Sequence, residues 1–118
     1  MQNLPTWLVH YFAAWNAHDA AEMRAQLADT FTATTRYLDP KRSTIGIDAF
    51  VACLLEFRAA SPAARISLAS GLDAHHHLCR YAWRLEVNGR TLEGYDVVEL
   101  DASGTSMLAV LSFFGPLP

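Results

Sequence analysis

The sequence predicts an α+β domain, with three N-terminal helices packed on a strongly curved, mainly antiparallel β-sheet. Apolar residues recur at helical spacing in much of the first half of the chain, and apolar and polar residues alternate in the second half. The pair Asn88-Gly89 stands between two alternating segments and is the strongest β-hairpin signal in the chain. Helices that are segregated from an antiparallel sheet define the α+β class.

The first predicted helix carries one broad apolar stripe. Asn3 is suited to cap its N-terminus, Pro5 to lie in its first turn, and the helix is expected to end near Ala17. The stripe consists of six residues at helical spacing: Leu4, Trp7, Leu8, Tyr11, Phe12 and Trp15. This pattern predicts that one face of the helix packs against the sheet.

Two further helices are predicted. Asp19 followed by Glu22 is typical of a capping box, which indicates a short second helix ending near Leu27. Gly46 precedes a third helix over about residues 47–60, whose apolar residues again follow helical spacing.

Five segments are predicted to be strands from their alternation and their content of β-branched and aromatic residues. They cover residues 31–38, 65–70, 77–87, 90–100 and 105–114. Asp39-Pro40 ends the first strand, because proline cannot donate to a sheet ladder. The last four strands are expected to form an antiparallel meander. Its curvature around the first helix is expected to leave a conical cavity for a ligand.

The strand over residues 77–87 predicts which side of the sheet faces the helices. Its apolar face holds Cys79, Tyr81, Trp83, Leu85 and Val87, and its other face holds Arg80, Arg84 and Glu86. Because the strands carry apolar or mixed residues on both faces, the second face needs a cover. We therefore expect a homodimer formed through the sheet, with the two arginines and the glutamate supplying polar contacts.

Composition narrows the classes of partner and location. The 118 residues fit one domain over residues 1–118, with 52% hydrophobic and 18% charged residues. A net charge of -3 without a basic stripe argues against a nucleic-acid partner, and no apolar run approaches the roughly 20 residues of a membrane span. Met1–Pro5 shows no signal-peptide pattern, and Cys53 and Cys79 lie in apolar segments typical of buried thiols, so a cytoplasmic protein is expected.

The run of three histidines at residues 75–77 is a conspicuous polar cluster. In a strand, His75 and His77 would share a face and could chelate a metal, but two ligands are too few for a zinc site without a carboxylate such as Asp73. The sequence holds no P-loop or dinucleotide fingerprint either. We therefore expect no metal and no cofactor. His77 shares parity with Tyr81 and is expected to line the cavity as a neutral hydrogen-bonding group.

Four stretches, taken in order, resemble the NTF2-like superfamily and its SnoaL-like domains. They are residues 11–19 (YFAAWNAHD), Tyr37–Pro40 with Gly46 before a helix, Gly94–Leu100 (GYDVVEL) and Phe113–Pro116 (FFGP). The similarity covers nearly the whole chain, and it implies a cone-shaped fold with a pocket for a small apolar molecule. The superfamily includes isomerases, cyclases, dehydratases and plain binding proteins, so the resemblance implies no single reaction.

The chain resembles SnoaL-like domains of the polyketide cyclase / ketosteroid isomerase type. Within the superfamily, its catalytic pattern is most similar to that of the ketosteroid isomerases. Tyr11 stands a little over two helical turns before Asp19, as a catalytic tyrosine does in those enzymes. Asp39, followed by Pro40, resembles their general base, and Asp96 resembles their second oxyanion donor. The resemblance implies that Asp39 takes a proton next to a carbonyl while Tyr11 and Asp96 stabilise the enolate. Isomerisation, cyclisation and dehydration all pass through such an intermediate.

The residues themselves support parts of this assignment. Alternation puts Asp96 on one face with Val98 and Leu100, so its carboxyl is expected to be buried and its pKa raised. A protonated carboxyl could then donate a hydrogen bond to a developing enolate oxygen. Asp39 shares a strand face with Tyr37 and is expected at the cavity mouth. The expected substrate-binding wall consists of Trp15, His77, Tyr81, Trp83 and Phe113.

Each catalytic candidate also has a purely structural interpretation. Tyr11 could belong to the core, Asp39 could open a turn before Pro40, and Asp96 could pair with Arg36. The alternative function is therefore a non-catalytic ligand-binding or dimerisation module of the same fold. In such a module, Asp39 is expected to point to solvent or to be held in an ion pair.

Overall fold

The computed structural model describes residues 3–118, so the first two residues of the segment Met1–Pro5 lie outside it. The helices are α1 (Thr6–Asn16), α2 (Ala20–Leu27) and α3 (Gly46–Ala60). The strands are β1 (Phe31–Asp39), β2 (Arg42–Ile45), β3 (Arg65–Leu68), β4 (Asp73–His75), β5 (Leu78–Val87), β6 (Arg90–Leu100) and β7 (Met107–Phe114). Three helices on a curved, mostly antiparallel sheet confirm the predicted α+β cone.

One sheet contains all seven strands. Its order is β2-β1-β7-β6-β5-β3, and β4 pairs with β5 beside β3. The predicted meander β3-β5-β6-β7 is confirmed, and every pairing is antiparallel except that of β1 with β7. The short strands β2 and β4, of four and three residues, were not predicted from the sequence.

The ends of the helices agree with the prediction at α2 and differ at α1. The Asp19 Oδ1 accepts a hydrogen bond from the backbone N–H of Glu22 at 2.8 Å, as the capping box predicts. The predicted cap at Asn3 is wrong. Pro5 occupies the N-cap position, and no side chain caps the helix, so Asn3 stands two residues too early to reach the first turn.

The hairpin between β5 and β6 forms as predicted. Asn88 and Gly89 both have positive φ angles, of 52° and 74°. Two consecutive left-handed residues make the type I′ turn whose twist matches that of the flanking strands. The turn fixes the register that places Tyr81 opposite Asp96 and Trp83 opposite Gly94.

The core between the helices and the concave face of the sheet is centred on Phe50 of α3. Its ring centroid lies 4.7 Å from Phe31, 4.9 Å from Tyr37, 5.7 Å from Trp15 and 6.0 Å from Tyr11. Burying one such aromatic side chain contributes about 2–3 kcal/mol. The cluster therefore fixes the positions of Tyr11, Trp15 and Tyr37, which form the edge of the cavity described below.

A buried arginine joins the C-terminal ends of α1 and α3. Arg58 is 7% exposed and donates to five backbone carbonyl oxygens, among them those of Trp15 at 2.8 Å and Ala64 at 2.7 Å. No carboxylate pairs with it among the described residues. The helix ends supply the partial negative charge that the guanidinium requires.

Two further features bear on the expectations from composition. Cys53 and Cys79 are both free thiols, and of the two only Cys79 is fully buried as predicted, while Cys53 is half-buried. Over residues 3–118, every helix is too short or too polar to cross a membrane.

Candidate functional site

A cavity of about 900 Å³ lies between α1, α3 and the concave face of the sheet. Its walls are largely aromatic, and they include Tyr11, Trp15, Tyr37, Phe57, Trp83 and Phe114. Asp39 and Asp96 both line it, together with Arg42 and Ser112. The predicted trio of Tyr11, Asp39 and Asp96 thus faces one shared cavity.

Asp96 is a deeply buried carboxyl in this cavity. It lies on β6 between the cross-strand neighbours Tyr81 on β5 and Ser112 on β7, and it is only 2% exposed. The Tyr81 hydroxyl donates a hydrogen bond to Oδ2 at 2.7 Å, and the Trp83 indole N–H donates to Oδ1 at 3.0 Å. These contacts replace the predicted alternative of an ion pair with Arg36, which is exposed on β1.

Burial decides the charge state of Asp96. Desolvation raises the pKa of this carboxyl from 3.8 to about 6, although hydrogen bonds from Ser112, Tyr81 and Trp83 act in the opposite direction. The negative charge of Asp39 adds a smaller upward contribution to this pKa. Both forms of Asp96 are therefore accessible within about one pH unit of neutrality, which is the range suited to a general acid or base.

Asp39 is held differently. Its side chain is fully buried at the end of β1, and its Oδ2 accepts from the Tyr37 hydroxyl at 2.7 Å and from Arg42 Nη1 at 2.9 Å. Its Oδ1 accepts from the backbone N–H of Lys41 at 2.8 Å. Asp39 thus faces the cavity as expected, and it also stabilises the β1–β2 turn, which was the alternative role.

Tyr11 is buried in the aromatic core and lines the cavity. Burial raises its pKa well above the usual value, and the charge of Asp96 is the next largest cause. The phenol therefore remains protonated and can donate a hydrogen bond. The nearby indole of Trp15 acts in the opposite direction and lowers the pKa of Tyr11. Within residues 3–118, the buried N–H of this indole makes no hydrogen bond.

Two of the five predicted wall residues, Phe113 and His77, lie away from the site, and a third, Tyr81, does not line the cavity, which corrects the prediction. Phe113 is 57% exposed on the opposite face of the sheet, because it pairs with the outward-facing Tyr95 on β6. Phe114 lines the cavity instead. His77 is exposed, because β5 begins at residue 78 and leaves His77 in the turn after β4.

The other predicted wall residues lie at the site. Trp15 and Trp83 line the cavity directly. Tyr81 does not line this cavity, although its hydroxyl is bonded to Asp96. The expectation that one cavity would be walled by Trp15, Tyr81, Trp83 and Phe113 thus holds for the two tryptophans only.

A second concavity of about 820 Å³ borders the outer face of the sheet. Tyr95, Val97, Phe113 and Leu117 give it apolar walls, and Arg80 lies at its edge. Arg80 forms an ion pair with Asp73 on β4. Outer-face side chains of three adjacent strands therefore combine apolar surface with charge.

The histidine run lies on the surface. His75 and His76 place their Nδ1 atoms 3.1 Å apart, and both side chains are exposed. Over residues 3–118, no three His, Cys, Asp or Glu side chains are grouped closely enough to hold a metal ion.

Sequence reasoning missed the groups that surround the two carboxyls. Trp83 was expected as a wall residue and not as a hydrogen-bond donor to Asp96, and Arg42 was not singled out at all. Gly94 in the middle of a strand was the available signal for the first, because a strand glycine often marks a close approach of another group.

Residues 8–107 match the family model described as a SnoaL-like domain. The chain belongs to the SnoaL-like domain family. No curated protein matches this SnoaL-like domain at a significant level.

Solved structures agree with this membership. The SnoaL-like domain is 31% identical to a proposed isomerase of the SnoaL-like family from Agrobacterium tumefaciens strain C58, over 94% of this chain and 96% of that one, with a TM-score of 0.85. A proposed polyketide cyclase from Sinorhizobium meliloti is 12% identical over 92% and 94% of the two chains, with a TM-score of 0.74. A proposed ketosteroid isomerase from Kribbella flavida is 17% identical over 95% and 77%, with a TM-score of 0.71. The last two similarities show the fold alone.

Proposed function

We propose that this SnoaL-like domain is an enzyme of proton-transfer chemistry, an isomerase or a cyclase, that forms an enolate from a small apolar carbonyl compound. The observation that supports this most is Asp96, a buried carboxyl that faces an aromatic cavity and has a pKa of about 6. Perturbed carboxyl groups in apolar clefts are a recurring feature of acid–base catalysis. The cavity volume lies within the range of small-molecule sites.

In this proposal, Asp96 rather than Asp39 exchanges the proton. Asp39 accepts three hydrogen bonds, one of them from the guanidinium of Arg42, so its oxygens are engaged in holding the β1–β2 turn. Among the described residues, Asp96 has only neutral donors around it, namely Tyr81, Trp83 and Ser112, and its pKa is about 6. This reverses the roles that the resemblance to the ketosteroid isomerases implies.

The proposed reaction needs one base and one hydrogen-bond donor. The Asp96 carboxylate removes a proton from the carbon next to the carbonyl, and the electrons of the broken C–H bond move onto the carbonyl oxygen. Tyr11 donates a hydrogen bond to that oxygen and stabilises its negative charge. The proton then returns from Asp96 to another carbon, or the enolate carbon attacks a second carbonyl, closes a ring, and the resulting alkoxide takes the proton from Asp96.

Exchange of α-protons with solvent tests this chemistry without the natural substrate. A panel of cyclic ketones is incubated with the protein in D₂O, and loss of the α-proton signal is followed by NMR. We expect Asp96→Asn to slow the protein-dependent exchange by roughly 10²–10⁴-fold, and Tyr11→Phe by roughly 10–10³-fold. Asp39→Asn serves as the matched carboxyl variant and should have a smaller effect.

The outcome also assigns the base. If Asp39→Asn abolishes exchange while Asp96→Asn leaves it intact, Asp39 is the base and our assignment is wrong. If no ketone of the panel binds and exchanges, the proposal of enolate chemistry on such compounds loses its support.

The ion pair between Asp39 and Arg42 favours a second candidate function, a non-catalytic ligand-binding module. Trp15 and Trp83 both line the cavity, so quenching of their fluorescence would report an apolar ligand. Tight binding of ketones without any proton exchange would support this second candidate.

We also propose that the outer face of the sheet forms a homodimer. Large apolar side chains on this face remain exposed in the single chain: Leu78, Tyr95, Leu111 and Phe113. A second copy of the chain would cover this surface and the outer concavity that adjoins it.

A further inference from the structure

Gly94 on β6 leaves room for the indole of Trp83 on the facing strand. The two residues are direct cross-strand partners. A Cβ atom at position 94 would lie 2.1 Å from Cζ2 and 2.6 Å from Cε2 of that indole, and 2.3 Å from the backbone oxygen of Phe113. Such contacts are far inside van der Waals distance, so only glycine permits the indole to lie where it does.

This glycine is required for space and not for its backbone conformation. The left-handed glycines of the chain lie at turns and at the start of α3, and Gly94 is not among them. Glycine in the interior of a strand weakens the strand relative to alanine. Gly94 nevertheless permits the close approach of the Trp83 indole, which alanine at this position would prevent.

The position of the indole brings its N–H to Asp96. Nε1 is bonded to Cε2, the atom that lies over Gly94, and it donates to Asp96 Oδ1 two residues further along β6. On its other side, the indole packs edge-on against Phe114, with ring centroids 5.7 Å apart. Phe114 is itself the cross-strand partner of Gly94 on β7. The indole is therefore held between two strands with its donor directed at one carboxyl oxygen.

An indole differs from the second donor, Tyr81, in one respect. A tryptophan N–H can only donate, whereas a phenol can donate or accept. Oδ1 must therefore offer a lone pair to Trp83 in both charge states of Asp96. In the neutral acid this favours the proton on Oδ2, where the hydroxyl of Tyr81 can turn and accept.

We propose that Trp83, seated on Gly94, is a positioning residue that stabilises the carboxylate form of Asp96 and directs the acidic proton to Oδ2. The inference rests on the proposed function only in assigning proton transfer to Asp96, and its test measures Asp96 directly. Gly94 provides the space for the indole of Trp83. The indole N–H in turn fixes which oxygen of Asp96 carries the proton and stabilises the carboxylate.

Trp83→Phe removes the donor while keeping an aromatic ring in the cavity. The pKa of Asp96 is measured by ¹³C NMR on protein labelled at the aspartate carboxyl carbons, and the signal is identified by its absence in Asp96→Asn. We expect the pKa of Asp96 to rise by about one unit, because a hydrogen bond to a charged group is lost. If a ketone substrate is found, the acidic limb of its rate profile should move by the same amount.

Trp15→Phe is the matched control, since it removes another indole N–H from the same cavity without a contact to Asp96. It should leave the pKa of Asp96 nearly unchanged. An equal rise in both variants, or none in Trp83→Phe, would overturn the proposal. Gly94→Ala gives a second route, and in folded protein it should raise the same pKa by displacing the indole. Loss of proton exchange on ketones with the pKa effects intact would instead contradict only the proposed function.

Discussion

At the scale of single residues, Asp96 makes folding depend on pH in an unusual direction. Most carboxyl groups that make hydrogen bonds have lowered pKa values in the folded state, and they stabilise a protein as pH rises. Asp96 has a raised pKa because it is buried. The folded state therefore binds its proton more tightly than the unfolded state does, and stability from this group decreases as pH rises from about 4 to about 6.

The comparison of wild type with Asp96→Asn isolates this effect. Because burial shifts the pKa of Asp96 from 3.8 to about 6, the difference in unfolding free energy between wild type and variant should change by about 3 kcal/mol between about pH 4 and pH 6. The stability of the variant relative to wild type should increase as pH rises, because asparagine carries no charge that burial would desolvate. Urea denaturation at several pH values between 3.5 and 7.5 measures it. A difference that stays constant with pH would show that Asp96 is not perturbed.

Sequence alternation was sufficient to predict that Asp96 is buried, because strand parity depends only on neighbours along the chain. It was not sufficient to identify the donors around the carboxyl. Tyr81 and Trp83 reach Asp96 from the next strand, so their contacts depend on the hairpin register and on the space above Gly94. In the same way, the ion pair of Asp39 with Arg42 depends on a tight return of the chain after β1.

At the scale of elements, hydrogen bonds of Arg58 connect the C-terminal ends of α1 and α3 with the segment that precedes β3. Its guanidinium carries five N–H donors in a rigid planar fork, which suits carbonyls that converge from several directions. A lysine ammonium has three donors on a single atom and cannot reach the same set of carbonyls. The buried positive charge would then remain partly unsatisfied.

We therefore expect Arg58→Lys to lower the free energy of unfolding by roughly 2–4 kcal/mol. Thermal and chemical denaturation would measure the loss. Arg90→Lys is the matched control at an exposed position and should change stability by less than about 0.5 kcal/mol. If both variants are equally stable, the carbonyl contacts of Arg58 contribute little to folding.

The elements that the sequence predicted are those with long, regular patterns. The three helices and the strands β1, β5, β6 and β7 have enough residues to show their period. The parallel pairing of β1 with β7 was not predicted, since no local pattern specifies which distant strand becomes a neighbour. The outward direction of Phe113 follows from the pairing of β7 with β6, which places Tyr95 and Phe113 on the same side of the sheet.

At the scale of the whole molecule, the proposed dimer makes a prediction about association. We expect the wild type to be dimeric at tens of micromolar, and Phe113→Lys to weaken association by at least tenfold, because it places a charge on the exposed apolar face. Sedimentation velocity over a range of concentrations would measure both. Val9→Lys introduces the same charge on the exposed side of α1 and should leave association unchanged. A wild type that is monomeric at these concentrations would contradict the proposal.

The central place of β7 has a consequence for how the chain is made. This strand lies between β1 and β6, and the Thr35 hydroxyl bonds to the backbone of Met107, 72 positions away. During synthesis on the ribosome, β1 can pair only with β2 until residues 107–114 emerge from the exit tunnel. The concave face of the sheet, and with it the cavity, therefore cannot be completed before residues 107–114 have emerged, so the sheet closes late around β7.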